Sequence, residues 1–352
     1  MISTMWRPSQ KPWTGIKLRL PRQISVSILC FGLLAIPCLA NDSVIAIDAG
    51  GIDFARTDAI RIVSEDLFIS TDRIRVRYIF ENVTPEDVTL TVGFPLPPVF
   101  ANDLVDRTPE TATDGAYMTF ETTVDEIQVQ ASETVEVFDL TDRNITDVFR
   151  AEGFPLKPQS PLYTRDFYES ASTETETVKD RMRALGLLGN FESMKWKFRL
   201  TYTWSHRFKA GHLTEVVHSY VPLAGVFQFM SALSGAPTDA GLSTWIRDEF
   251  CPDESIWRAL HSGAADHLVP VVRHVGYILT TGGNWAGPIG SFRLTVDTGH
   301  AENLIATCWP YRLKRRSETE FSFEARDFTP RHNPRIAIIE SDLVAHQKTD
   351  EE

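Results

Sequence analysis

"RIRVRYIF", Arg73 to Phe80, alternates Ile74, Val76 and Tyr78 with Arg73, Arg75 and Arg77. A period of two marks a strand with one buried face and one wet face. "ENVTPED" (81–87) follows with turn residues, and "VTLTVGF" (88–94) alternates again. "FPLPPVF" (94–100) then stops the strand, because proline has no N–H to give to a ladder. Outward from here the texture repeats in "YMTFETTVDEIQVQ" (117–130), "ETVEVFDL" (133–140), "FSFEARDF" (321–328) and "RIAIIES" (335–341). In "MKWKFRLTYTW" (194–204), Trp196, Phe198, Leu200, Tyr202 and Trp204 share one parity. The turn "KAG" (209–211) separates that run from "LTEVVHSYVPL" (213–223). One wet face per strand fits antiparallel pairing better than βαβ winding. The expected fold is mainly β, an antiparallel β-sandwich or two abutting ones, with helical or loop insertions near 141–190 and 224–274.

Within the first insertion, "TETETVKDRMRALGLLGN" (173–190) is the best helix of the chain. Thr173 and Glu176 have capping-box spacing, and Val178, Met182, Leu185 and Leu188 fall on one stripe. Covering a sheet is the simplest role for such a helix. The second insertion holds a shorter helix near "DESIWRALHSG" (253–263).

Residues 1–40 read as a signal peptide. Lys17, Arg19 and Arg22 form a basic region, Ile24 to Pro37 an apolar one, and Cys38-Leu39-Ala40 supplies the small residues a signal peptidase reads. Cleavage is expected after Ala40, placing the protein in the periplasm or outside the cell. The competing reading, an uncleaved anchor, has to contend with an apolar run short of the roughly 20 residues a spanning helix needs. One β-rich domain is expected over 41–342, with a sub-boundary possible near 141–190, and the polar tail 343–352 is expected to be disordered.

The leader carries five basic residues and no acid. From Asn41 on, the chain therefore has 30 basic against 47 acidic side chains, a balance of −17. Nucleic acid and anionic membrane surfaces reward a basic face, so neither is an expected partner. A membrane enters only through the leader, if it is retained. Of four cysteines, Cys30 and Cys38 leave with the leader. Cys251 and Cys308 form an even pair in a chain bound for an oxidising compartment, where a disulfide is the default. The alternative, a catalytic thiol, lacks an activating motif around either residue.

His206, His212 and His218 are spaced by six around one turn, so a hairpin could bring two together. Zinc sites use such histidines, but no carboxylate or cysteine stands at a ligand interval. His261 and His267 are weaker candidates still. No G-x-S-x-G elbow occurs, and Glu65-Asp66 before "LFIS" reads as solvated turn charge. No motif implies a cofactor.

"YILTTGGNWAGPIGSFRLTVD" (277–297) places four glycines around Asn284 and Trp285. A phosphate loop runs from strand into helix. Here Tyr277 and Leu279 precede the loop, and Phe292, Leu294 and Val296 follow in strict alternation, so both flanks are strands and the phosphate reading fails. What remains is a long hairpin-like corner. Trp285 either anchors it to the core or offers a face to a ligand, and Asn284 is expected to bond the loop's own backbone.

At this loop the chain resembles the exported bacterial proteins carrying the DUF4424 domain of unknown function. "SEDLFISTDRIRVRYIFEN" (64–82) running on to "TVGFPLP" (91–97), "NITDVFRAEGFPLKP" (144–158), and Trp204 to Gly225 with "FKAG" and "HSYVP" are also similar to that family. Lys209 stands where the family pattern has proline, and Ser219 where a basic residue is common. The resemblance implies an exported, largely β protein and carries over no catalytic residue.

Two functions follow as expectations. The first is a non-catalytic binding or structural module for an envelope protein or glycan, with Asn284, Trp285, His206, His218 and Tyr220 as candidate contacts. The second is an envelope hydrolase acting on glycan or peptide, which would need His206, His218 and acids to converge in one cleft.

Overall fold

The computed structural model describes residues 42–48, 51–104, 119–157, 169–222, 225–228, 240–262 and 270–340. The leader with its cleavage point, His267 and the tail lie outside the described residues.

Alternation at Ile74–Asn82 becomes strand β4, in which Ile74, Val76, Tyr78 and Phe80 are buried while their neighbours face outward. It belongs to an eight-stranded sheet with β3 (Ile60–Ile69), β7 (Phe120–Val124), β8 (Ile127–Val129), β11 (Leu213–Tyr220), β14 (Ile289–Asp297), β16 (Lys314–Arg315) and β17 (Glu320–Phe328). The order is β16-β17-β14-β3-β4-β11-β7-β8. A six-stranded sheet holds β1 (Ser43–Asp48), β2 (Gly51–Ala55), β5 (Val88–Pro95), β6 (Val99–Phe100), β9 (Ser132–Asp139) and β10 (Trp196–Phe208). Its order is β2-β1-β5-β10, with β9 on the far side of β10 and β6 continuing past β5.

The inner faces of these two sheets meet through rings. Phe120 stacks on Tyr202 at 4.1 Å, Phe94 lies 5.3 Å from Phe120, and Phe80 lies 5.9 Å from Phe208. Such pairs add to the area burial of the large side chains. The sandwich expectation holds. One pairing departs from it: among the described residues β3 and β14 run parallel, and every other pair is antiparallel. Alternation reports which face a residue takes, not the direction of the neighbouring strand.

A third, four-stranded sheet runs β12 (Gly225–Gln228), β13 (Val271–Gly276), β18 (Arg335–Glu340), β15 (Leu304–Ala306). Val275, Ile336 and Ile338 of this sheet join the main core. Its other face packs Val272, Ala306, Ala337 and Ile339 under two helices, α3 (Ala240–Phe250) and α4 (Glu254–Ser262), which contribute Ile246, Phe250, Ile256 and Leu260. Cover on both faces explains the unbroken apolar run of "IAII" (336–339). Cys251 and Cys308 are joined, tying the end of α3 to the chain beyond β15.

Of two earlier helices, α1 (Thr146–Glu152) buries Phe149 against Trp196 at 5.5 Å. The other, α2 (Thr173–Ala184), is capped by Ser172, whose side chain accepts from the Thr175 N–H, one residue before the expected cap. Its stripe is shorter than its spacing suggested. Met182 and Leu188 are buried, but α2 ends at Ala184 and Leu185 turns outward.

Two of the turns read from the sequence are crossovers between sheets. "ENVTPED" leads from β4 to β5, and "KAG" leads from β10 to β11, so both pass the chain from one sheet to the other. Buried Asn82 clasps them. Its side-chain amide donates to the carbonyls of Glu86 at 2.7 Å and Phe208 at 3.0 Å, and its Oδ1 accepts from the Thr84 N–H.

Candidate functional site

Residues 277–288 carry the chain from β13 in the third sheet to β14 in the eight-stranded one, so they are not a hairpin. The loop starts on Asn333, whose Oδ1 accepts from the N–H groups of Leu279 and Thr280 at 2.8 and 3.1 Å. It ends where Gly290 lies against β3, since a Cβ there would stand 2.7 Å from the Val63 carbonyl oxygen. Between those points it grips the N-terminal strands. Asn284 donates from its side chain to Ser43 Oγ at 3.0 Å and accepts the Thr57 N–H at 2.9 Å, rather than bonding its own loop. Trp285 is buried, lies 4.8 Å from Phe80, and donates Nε1–H to the Asp42 carbonyl.

Asp42 and His218 are both 0% exposed. Asp42 Oδ2 stands 3.1 Å from His218 Nε2, and His218 Nδ1 stands 3.0 Å from Thr122 Oγ1. Rings enclose the imidazole: Phe94 and Trp204 at 4.8 Å, Phe120 at 5.3 Å and Tyr78 at 6.1 Å. Beside this line the Tyr78 and Tyr277 hydroxyls lie 2.9 Å apart, with buried Glu65 among the charges they feel. Burial raises the Asp42 carboxyl above the usual carboxylate value, and the charge and hydrogen bond of His218 oppose that shift. Burial likewise pushes the hydroxyls of Tyr78, Tyr277 and Tyr220 upward. Two donors at this level, Tyr220 OH and Trp204 Nε1, have no hydrogen-bond partner among the described residues.

A carboxylate, an imidazole and a hydroxyl in line is the arrangement by which hydrolases activate a nucleophile. Here Thr122 is only 1% exposed, so all three groups are sealed between the sheets. What the line does in the closed fold is join the N-terminal segment to β11 and β7. Removing one member of a buried pair leaves the other uncompensated, which is costly.

The remaining candidates scatter. His206 is half-buried against Phe208 at 4.7 Å, and burial lowers its pKa while Asp125 opposes. Its ring packs on Phe208, whereas Trp204 of the same strand packs on His218. His212 sits in the crossover, its carbonyl accepting the Asn82 N–H at 3.4 Å. Glu65 and Asp66 are not turn residues. They lie mid-strand in β3, Glu65 inward and Asp66 outward with Arg293 at 3.7 Å. The side chain of His261 lies outside the described residues. Among the described residues no group of three or more His, Cys, Asp or Glu could hold a metal ion. Sequence reading missed Asp42, Thr122 and Glu65. Asp42 and Thr122 stand beside the leader and within an ordinary strand, and a strand irregularity hides the facing of Glu65.

A family model described as a domain of unknown function, DUF4424, matches residues 40–336. The chain belongs to the DUF4424 family. No curated protein matches it. A crystal structure of a "putative nutrient binding protein" from Legionella pneumophila is similar over 85% of this chain and 71% of its own, at 14% identity and a TM-score of 0.41. That likeness is too low to carry an argument. In this DUF4424 protein the buried network draws Glu65 from β3, Tyr78 from β4, Phe94 from β5, His218 and Tyr220 from β11, and Tyr277 and Trp285 from the loop, all within the matched residues.

Proposed function

We propose that this DUF4424 protein is exported, loses residues 1–40, and acts in the periplasm or outside the cell as a non-catalytic β-sandwich that binds or organises an envelope protein or glycan. The observation that carries the reading is the sealing of Asp42, His218 and Thr122: the groups best suited to chemistry sit at 0–1% exposure and serve the interior. The basic-then-apolar leader and the Cys251–Cys308 bond are consistent with an oxidising destination. The test is fractionation and N-terminal sequencing of the expressed protein, then cross-linking capture from envelope extract and binding to envelope glycans. An N-terminus at Asn41 with a reproducible partner or glycan supports the proposal, and a chain retained in the cytoplasm overturns it.

The Asp42–His218–Thr122 line favours one second reading, a hydrolase whose sandwich opens to admit glycan or peptide. Thr122→Val separates the two. Loss of hydrolysis with the melting temperature unchanged would favour the enzyme, and hydrolysis absent from wild type and variant alike would favour the binding module.

A further inference from the structure

Asp42 is the second residue past the expected cleavage point, and neither it nor Ser43 exposes any surface. Contacts with the loop, β11 and β2 hold this segment. Trp285 holds the Asp42 carbonyl, His218 its carboxylate at 3.1 Å, and Asn284 the Ser43 hydroxyl at 3.0 Å, while Ser43 Oγ donates to the Ala55 carbonyl at 3.1 Å. Ile45 then fills the space above Gly93 of β5, where a Cβ would stand 2.4 Å from its Cγ2. The backbone ladder itself is short: β1 meets β5 only through Ser43 with Gly93 and Val44 with Val92. β1 also pairs with β2, from Val44 with Ala55 to Asp48 with Gly51, so side-chain contacts and one loop, rather than a long ladder, hold this hairpin on β5.

A protease needs exposed, locally extended chain on both sides of the bond it cuts. With β1 docked, the bond after Ala40 is one residue removed from chain that is fully enclosed. We infer that leader removal precedes closure of the sandwich, and that docking of residues 42–48 under the Trp285 loop is the locking step of maturation. The inference rests on the leader reading above. Docking also hides the residues beside the new N-terminus from further trimming. Because β1 meets β5 through only two residue pairs, the β1–β2 hairpin can part from β5 as a local event that does not require unfolding of the rest.

The experiment follows cleavage between residues 40 and 41 by signal peptidase, read by mass spectrometry. Its substrates are the full-length precursor in detergent, an unstructured peptide of residues 30–48, and the precursors Trp285→Phe and Gly93→Val. The folded precursor is expected to be cut at least about tenfold more slowly than the peptide, because cleavage samples only the open population. Both variants, shown folded by circular dichroism and an intact disulfide, are expected to recover most of the peptide's rate. A precursor cut as fast as the peptide overturns the inference while leaving the leader intact. Folded variants cut no faster than the slow wild type overturn it as well. A peptide left uncut removes the leader reading itself, and the inference with it.

Discussion

Trp285 does two things at once, filling space beside Phe80 and donating to the carbonyl of fully buried Asp42. Trp285→Ala should therefore destabilise by roughly 3–5 kcal/mol, the range for deleting a large buried ring, measured as a drop in urea midpoint. A change within error would mean the loop is held by its backbone alone. Asp42 makes a prediction in pH. Its carboxyl is raised in the folded state by burial, with His218 opposing. A group whose folded pKa exceeds its unfolded value stabilises below the ordinary carboxylate range, and that contribution is lost as pH rises through the folded pKa. Asp42→Asn has the same size and cannot ionise, so it should gain on wild type as pH rises above about 4. Urea titrations of both proteins across this range check it, and parallel curves would contradict it. Trp285 was visible as a marker in the sequence. Asp42 was not, because an acid next to a leader looks like any solvated terminus.

At the scale of elements, β3 shows how one residue defeats periodic reading. Ile60 and Ile62 face inward, the register then slips between Ile62 and Ser64, and the inward set becomes Glu65, Leu67 and Ile69. A bulge flips parity, so Glu65 entered the core from a position that reads as polar. Turns left the sheet assignment open for a related reason. "KAG" and "ENVTPED" contain the residues of a hairpin turn, but a turn's composition does not say whether the next strand pairs with the last or crosses to the facing sheet. Helix α2 was legible except for its cap and its end at Ala184. Ser172→Ala should cost about 1 kcal/mol, the usual loss of a side-chain cap, whereas Thr173→Ala should stay near neutral. Thermal melts of the two variants distinguish them.

For the whole molecule, Cys251–Cys308 ties the helical cover of the third sheet to the chain beyond β15, across 57 residues of sequence. Replacing both cysteines by serine should remove about 4 kcal/mol in the chain-entropy account. The loss should concentrate in α3, α4 and the third sheet, read as faster hydrogen exchange there than between the two larger sheets. Uniform loss would mean that the third sheet and the sandwich unfold as one unit.

By itself the sequence determined the long alternating strands and the buried face of most of them, the disulfide partners, the best helix and the family. Each of these rests on local periodicity or on a small set of residues that can only pair one way. By contrast, β12 and most of β13 read as part of a loop-rich insertion over 224–274. Tertiary structure alone decided which sheet each strand joins, the parallel contact of β3 with β14, and the meeting of Asp42, Thr122, His218 and Trp285. Those four residues are up to 243 positions apart, and no local pattern encodes such a distance. Only the closing of two sheets on the N-terminal strand brings a carboxylate, an imidazole and an indole to one buried point.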